Sequence, residues 1–273
     1  MRVGVFAKTF AADEPLTALS AAADAGFAVA HYNLSCSGIG SLPATVSTEH
    51  AAAVAAASAA TGVALCGVSA TFNMIHPDIT VRRRGLVALD AIAGAARTMG
   101  TDLVTLCTGT RDPDDMWRHH PANCDPSAWN DLCESLDDAL RVAARHDVRL
   151  GIEPERANVV ATADLARRLV DDLADDRLCI VLDPANLIDP AEPGRQHDLI
   201  SSAIELLADR IAVAHVKDRR VDGTVVPPGD GIVDHAHMIA ELRRARFDGP
   251  LVAHGFGAEH ARAASGHLRR LVG

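Results

Sequence analysis

Residues 149–184, RLGIEPERANVVATADLARRLVDDLADDRLCIVLDP, decide the fold. An apolar run ends on an acid at Glu153, Thr162 then opens a stretch of helical period reaching about 172, and a second apolar run ends on another acid at Asp183. Strand, helix and strand in that order form the unit that joins parallel strands. The same unit recurs in both directions along the chain. Strands are expected at 2–8, 27–34, 64–72, 102–108, 149–155, 178–184, 211–217 and 250–256. Helices are expected near 15–25, 48–61, 80–99, 127–146, 162–172, 197–208, 233–245 and 258–271, with Thr80, Ser127 and Thr162 as N-caps. Eight units in 273 residues give about 34 residues each, which suits a closed (β/α)8 TIM barrel. An open doubly wound sheet normally carries a glycine-rich turn after its first strand, whereas here that strand runs into Lys8-Thr9-Phe10. No Pro/Gly/Ser linker interrupts the pattern, so residues 1–273 read as one domain. The longest nonhelical stretches, 109–126 and 218–232, follow strands and are expected above the barrel mouth.

Composition narrows the chemistry. Acidic residues outnumber basic ones 36 to 26, a net charge of −10, which disfavours a protein that tracks a phosphate backbone. No apolar run approaches the roughly 20 residues of a membrane span, and the N-terminus reads as a strand rather than a signal peptide. The six cysteines are scattered without a C-x-x-C pair, so free thiols in a reducing cytoplasm are expected, with Cys36 and Cys107 serving as packing. Aromatic residues make up only 3%. Phe27 and Phe247 precede strands two and eight, where they can close the barrel bottom, while Tyr32, Phe72, Trp117, Trp129 and Phe256 fall near the mouth.

Barrel enzymes carry their functional groups at the C-terminal ends of the strands. Polar residues occupy nearly every such end: Lys8; His31 and Asn33; Asn73 and His76; Thr108 and Arg111; Glu153 and Glu155; Asp183 and Asn186; His215 and Lys217; His254. Glu153, Asp183, His215 and His254 close the apolar runs of strands five to eight. Adjacent strands lie about 4.8 Å apart, so these four can converge on one divalent cation. Two carboxylates and two imidazoles suit Mn²⁺, Co²⁺, Fe²⁺ or Zn²⁺ better than Ca²⁺ or Mg²⁺. The bland alternative is that the acids cap helices and the histidines are bonded core residues; it leaves both buried acids without a cation on their own strands. The chain holds two lysines against twenty-four arginines, and Lys8 and Lys217 both fall at strand ends, where a compact ammonium could stabilise an oxyanion. His31, Asn73, His76, Arg111, Trp117, Glu155 and Asn186 are the candidates for substrate binding, with the Arg111 fork suited to a carboxylate or phosphate.

GIEPE at 151–155, VLDPAN at 181–186, AHVKD at 214–218, the loop PPGDGIVD and FDGPLVAHGF at 247–256 resemble the strand ends of the xylose-isomerase-like sugar phosphate isomerase/epimerase family. The resemblance spans most of the chain and is strongest from 149 to 256. It implies a metal held by Glu153, Asp183 and His215, with His254 where the family has a second glutamate. It also implies proton transfer beside a metal-polarised carbonyl, with Glu153 or His254 moving the proton and Lys217 assisting. A small sugar-like substrate, no nucleic acid or membrane partner and a possible homo-oligomer complete the expectation. Dehydratase or lyase chemistry, a noncatalytic sugar-binding barrel and an apurinic endonuclease are the alternatives, the last disfavoured by the net charge.

Overall fold

The computed structural model describes residues 1–190 and 192–273. Eight parallel strands close a barrel: β1 (Arg2–Phe6), β2 (Val29–Tyr32), β3 (Ala64–Ser69), β4 (Leu103–Cys107), β5 (Arg149–Glu153), β6 (Leu178–Leu182), β7 (Ile211–Val216) and β10 (Pro250–Ala253). β1 closes the ring on β10 with Val3 opposite Leu251. The long helices α1 (Pro15–Asp24), α2 (Thr48–Thr61), α3 (Ile79–Met99), α4 (Pro126–His146), α5 (Ala163–Leu173), α7 (Gln196–Leu207), α8 (His235–Arg244) and α9 (Ala261–Val272) alternate with these strands in sequence. The eight-unit barrel expected from the sequence is the fold found.

Each expected strand contains the observed one but runs one to three residues past it, because the chain turns into its loop while its side chains are still of strand type. Four local features differ from expectation. Asp78, rather than Thr80, caps α3 by accepting from the Thr80 N–H, and Asp125 precedes α4, which starts at Pro126 instead of at a Ser127 cap. Thr162 does cap α5, accepting from Leu165. A four-residue helix, α6 (Pro184–Leu187), and a hairpin of β8 (Asp218–Arg219) with β9 (Val225–Val226) are too short to register as periods.

Alternation along the strands places the site. Most of the core lies between barrel and helices, with Leu150, Ile180 and Leu182 among its fully buried members. A separate cluster of Leu103, Cys179, Val181, Val213 and Val252 fills the barrel interior, joined by Phe6, Cys66 and Ala212. Two residues on from these apolar positions come Thr105, Asp183, His215 and His254, which share their side of the strand. The inward face is thus apolar below and polar above. Among the aromatics, Phe27 is buried before β2, and Tyr32 and Phe72 are buried as well, Phe72 packed so closely on α3 that a Cβ at Gly85 would lie 2.1 Å from its ring. No helix among the described residues is long and apolar enough to cross a membrane.

Candidate functional site

Adjacent strands β5, β6, β7 and β10 bring Glu153, Asp183, His215 and His254 together, one donor atom from each lying within 4.8 Å of the others. The four come paired. His215 Nδ1 lies 3.3 Å from Glu153 Oε1, and His254 Nε2 lies 2.9 Å from Asp183 Oδ2. Lys217 reaches the same Asp183 oxygen at 3.2 Å and donates a short hydrogen bond to Asn186 Oδ1, while Asn186 Nδ2 donates to Glu153 Oε1 at 3.1 Å. Asp183 Oδ1 accepts from the Ala185 N–H at the start of α6, which fixes the carboxylate's orientation.

Charges set the protonation of these groups. Burial pushes the Asp183 carboxyl up, but the Lys217 ammonium and the His254 hydrogen bond outweigh it and hold the group well below the usual carboxylate range. Burial likewise opposes ionisation of Glu153, and His215 reverses the balance, so its pKa is lowered. His254 is lowered by burial against the pull of Asp183, which favours neutral imidazole. Burial alone would discharge Lys217; Asp183, Glu153 and Glu155 keep it an ammonium. Glu155 is raised, chiefly by burial, with Lys217 opposing.

The donor set fits a metal ion. Two ionised carboxylates and two imidazoles converge where Asp183 has no solvent-exposed side chain and Lys217 is the one ammonium against them. Oxygen and imidazole donors in this ratio suit a borderline divalent cation.

Above the cluster lies a cavity of about 350 Å³, lined by Glu153, His215 and His254 on one side and by Phe6, Lys8, His31, Asn33, Ser41, Ser69, Thr71, Thr105, Cys107, Met116 and Trp117. His31 stands between the two sides: its Nδ1 is 3.1 Å from His215 Nε2 and its Nε2 is 2.8 Å from Thr105 Oγ1. Burial, then His215 and His254, lower its pKa well below the ordinary value. Cys107 is also buried, which pushes its thiol far up and leaves it inert. A second hollow of about 370 Å³ between α4 and α5 is lined by Trp129, Arg156 and Arg168, whose cations are paired with Asp189 and Asp172. It holds none of the four donors.

Of the residues singled out in the sequence, the cavity lining includes Glu153, His215, His254, His31, Trp117 and Lys8. Asp183, Asn186 and Lys217 stand immediately behind it. Asn73, His76 and Arg111 lie elsewhere, in the buttress under the loop after β4. The Asn73 amide donates to Thr110 O at 2.8 Å and accepts from the Thr110 N–H, and His76 Nε2 lies 3.0 Å from Pro113 O. Arg111 pairs with Asp131 at 2.7 Å, beside Arg82 at 3.0 Å on the same oxygen. Phe6, Ser41, Ser69, Thr71, Thr105 and Met116 also line the cavity and carry no signal of it in the sequence. Of the aromatics placed near the mouth, Trp117 lines the cavity, whereas Trp129 donates to Asp172 with Arg168 over its ring.

The model of the xylose isomerase-like TIM barrel family matches residues 19–271. Among solved structures, the apo 3-keto-D-glucoside 4-epimerase of E. coli superposes with a TM-score of 0.78 at 19% identity, covering 99% of each chain. The D-psicose 3-epimerase of Clostridium cellulolyticum H10, solved with D-tagatose, gives 0.76 at 16% identity, covering 100% of this chain and 99% of that one. An L-ribulose 3-epimerase gives 0.77 at 18% identity, covering 99% and 93%. No curated protein sequence matches the chain closely enough to count as a relative. Fold and the match over nearly the whole length agree: the chain belongs to the xylose isomerase-like TIM barrel family.

Proposed function

We propose that the protein is a divalent-metal-dependent isomerase or epimerase of a small sugar or related hydroxy-carbonyl compound. The observation that carries this reading is the convergence of Glu153, Asp183, His215 and His254 within 4.8 Å at the floor of the cavity. The names of the structural neighbours, sugar epimerases on the same barrel, support it. Held by these four residues, a cation would supply Lewis acidity toward a substrate carbonyl beside the carbon that loses its proton.

The protein's own groups divide the remaining work. Glu153, ionised and facing the cavity, takes the proton from the carbon next to the carbonyl. His254 faces the same cavity as a neutral imidazole and is the candidate to exchange a proton at a second position. Asn186 holds the Glu153 carboxylate by donating to it, which leaves its other oxygen for chemistry. Lys217, bound to Asp183 and Asn186, offsets charge behind the cluster; its contacts make it a positioning group rather than a direct oxyanion partner. Hydroxyls of Ser69, Thr71 and Thr105 offer hydrogen bonds suited to a polyol, and Phe6 and Trp117 offer apolar faces.

The test is metal analysis of the purified protein, followed by incubation of the Mn²⁺-loaded form with ketoses in deuterated water. Stoichiometric metal and deuterium incorporation beside the carbonyl are expected, with incorporation lost in Glu153→Gln. A protein that takes up no metal, or takes it up and exchanges no proton in any ketose or hydroxy-keto acid, overturns the reading. Elimination of water from the ketose, with an unsaturated or deoxy product in place of an epimer, would instead assign the dehydratase reaction.

A further inference from the structure

Three buried side chains run from the metal cluster to the opposite cavity wall. His215 Nδ1 faces Glu153 Oε1 at 3.3 Å, His215 Nε2 meets His31 Nδ1 at 3.1 Å, and His31 Nε2 meets Thr105 Oγ1 at 2.8 Å. His31 and His215 are each 3% exposed and Thr105 4%, so water does not intervene. Among the described residues, the Thr105 hydroxyl has His31 as its one side-chain partner, and it lines the cavity. A neutral imidazole donates through one nitrogen and accepts through the other, so the direction of one bond in such a row sets the direction of the rest.

With both rings neutral and no cation bound, the Glu153 carboxylate accepts from His215 Nδ1–H. His215 Nε2 must then accept from His31 Nδ1–H, and His31 Nε2 from the Thr105 O–H, leaving the cavity facing a hydroxyl whose proton is turned away. When His215 gives its Nδ1 lone pair to a cation, its proton resides on Nε2 and donates to His31 Nδ1. His31 Nε2–H then donates to Thr105 Oγ1, and the hydroxyl proton is free to point into the cavity.

We propose that His215, His31 and Thr105 form a relay whose hydrogen bonds reverse when a divalent cation occupies the cluster, so that only the loaded site presents Thr105 as a donor to a substrate oxygen. The inference rests on the metal reading above. Its proton count closes. One proton leaves His215 Nδ1 for solvent, one passes from His31 to His215 Nε2, one passes from Thr105 to His31 Nε2, and cavity water returns one to Thr105. Each group ends with as many protons as it began with. Metal binding therefore precedes productive substrate binding, and the substrate places an acceptor oxygen, carbonyl or hydroxyl, against the β4 wall.

The test uses protein labelled with ¹⁵N at histidine and titrated with Zn²⁺, a diamagnetic probe, with ring tautomers read from long-range ¹H–¹⁵N correlations. Two resonances, one of them absent from His31→Phe, are expected to pass together from Nδ1–H to Nε2–H as zinc saturates. His31→Phe should also lower zinc affinity by about 10–100-fold, the usual effect of losing a ligand's hydrogen-bond partner. Thr105→Val, isosteric and without the hydroxyl, should weaken zinc severalfold and abolish the coordinated passage, while Thr105→Ser retains both. Zinc uptake without a change of tautomer, or an unaltered passage in Thr105→Val, overturns the relay and leaves the metal reading standing. Absence of zinc uptake by the unaltered protein overturns both.

Discussion

The two halves of the barrel mouth are built on opposite plans. Strands β5, β6, β7 and β10 contribute charge: two carboxylates, two imidazoles and an ammonium, bonded to one another before any ligand arrives. Strands β1 to β4 and the loops after them contribute hydroxyls, an amide, a thiol, the His31 imidazole and apolar faces, with Lys8 as their one cation lining the cavity. The charged half is self-paired because buried charges require partners, and that pairing orients its donors in advance. The other half, with Lys8 as its cation, carries less charge to pair and presents its hydroxyls to the cavity. On the proposed reading, ion binding and substrate selection fall to different arcs of one ring, joined through His31.

Substitutions can break this division, beginning where the effect is largest. Asp183→Asn removes a donor and the carboxylate that Lys217 and His254 share. Affinity for Mn²⁺ should fall by more than about 100-fold by calorimetry, and the metal-free protein should lose about 3 kcal/mol in urea titration because a buried ammonium has lost its counter-charge. Retained metal affinity would place the cation elsewhere. His254→Glu sets a second carboxylate against Asp183 where the imidazole now lies 2.9 Å away. The metal-free Tm should drop by several degrees and saturating Mn²⁺ should restore it, as expected of like charges bridged by a cation. A drop that Mn²⁺ does not repair would show that the site requires imidazole.

Arg111→Leu tests the border of the β1–β4 half. The pairing with Asp131 predicts a loss of about 1–3 kcal/mol in stability, with metal affinity and KM changed less than threefold. A large rise in KM with stability intact would return Arg111 to the substrate. Trp117 is 53% exposed, so Trp117→Ala should change stability by less than about 0.5 kcal/mol while raising KM severalfold. Acid supplies the smallest effect. Burial raises the Asp131 carboxyl, but Arg111 and Arg82 more than reverse this, so its folded pKa lies below the unfolded one. The resulting stability is present above the unfolded value and disappears as pH falls through the folded one. Removing it with Asp131→Asn should flatten the Tm profile below about pH 4.

How much of this could be read beforehand differs between the two halves for a physical reason. An acid or histidine ending an apolar run is costly unless paired or ligated, so Glu153, Asp183, His215 and His254 stood out. Ser69, Thr71 and Thr105 did not, because threonine and serine within or after a strand look like ordinary strand and turn formers. Conversely, Asn73, His76 and Arg111 drew notice by residue type, yet tertiary contacts bind them to Thr110, Pro113 and Asp131. The barrel itself was legible because period-two apolar runs and helical periods alternate eight times. The β8–β9 hairpin was not, since two-residue strands have no period.

That hairpin hangs from Asp218, a fully buried carboxylate accepting the backbone N–H groups of Arg219, Gly229, Gly231 and Val233 at 2.8–3.0 Å. One side chain thus closes both ends of the segment that follows His215. The tip around Val221, which is 62% exposed, lies outside this clasp. Insertions there are decoupled from the Glu153, Asp183, His215 and His254 cluster, which makes 221–224 a place where the protein can acquire a longer rim, a partner-binding loop or an engineered graft without disturbing its centre.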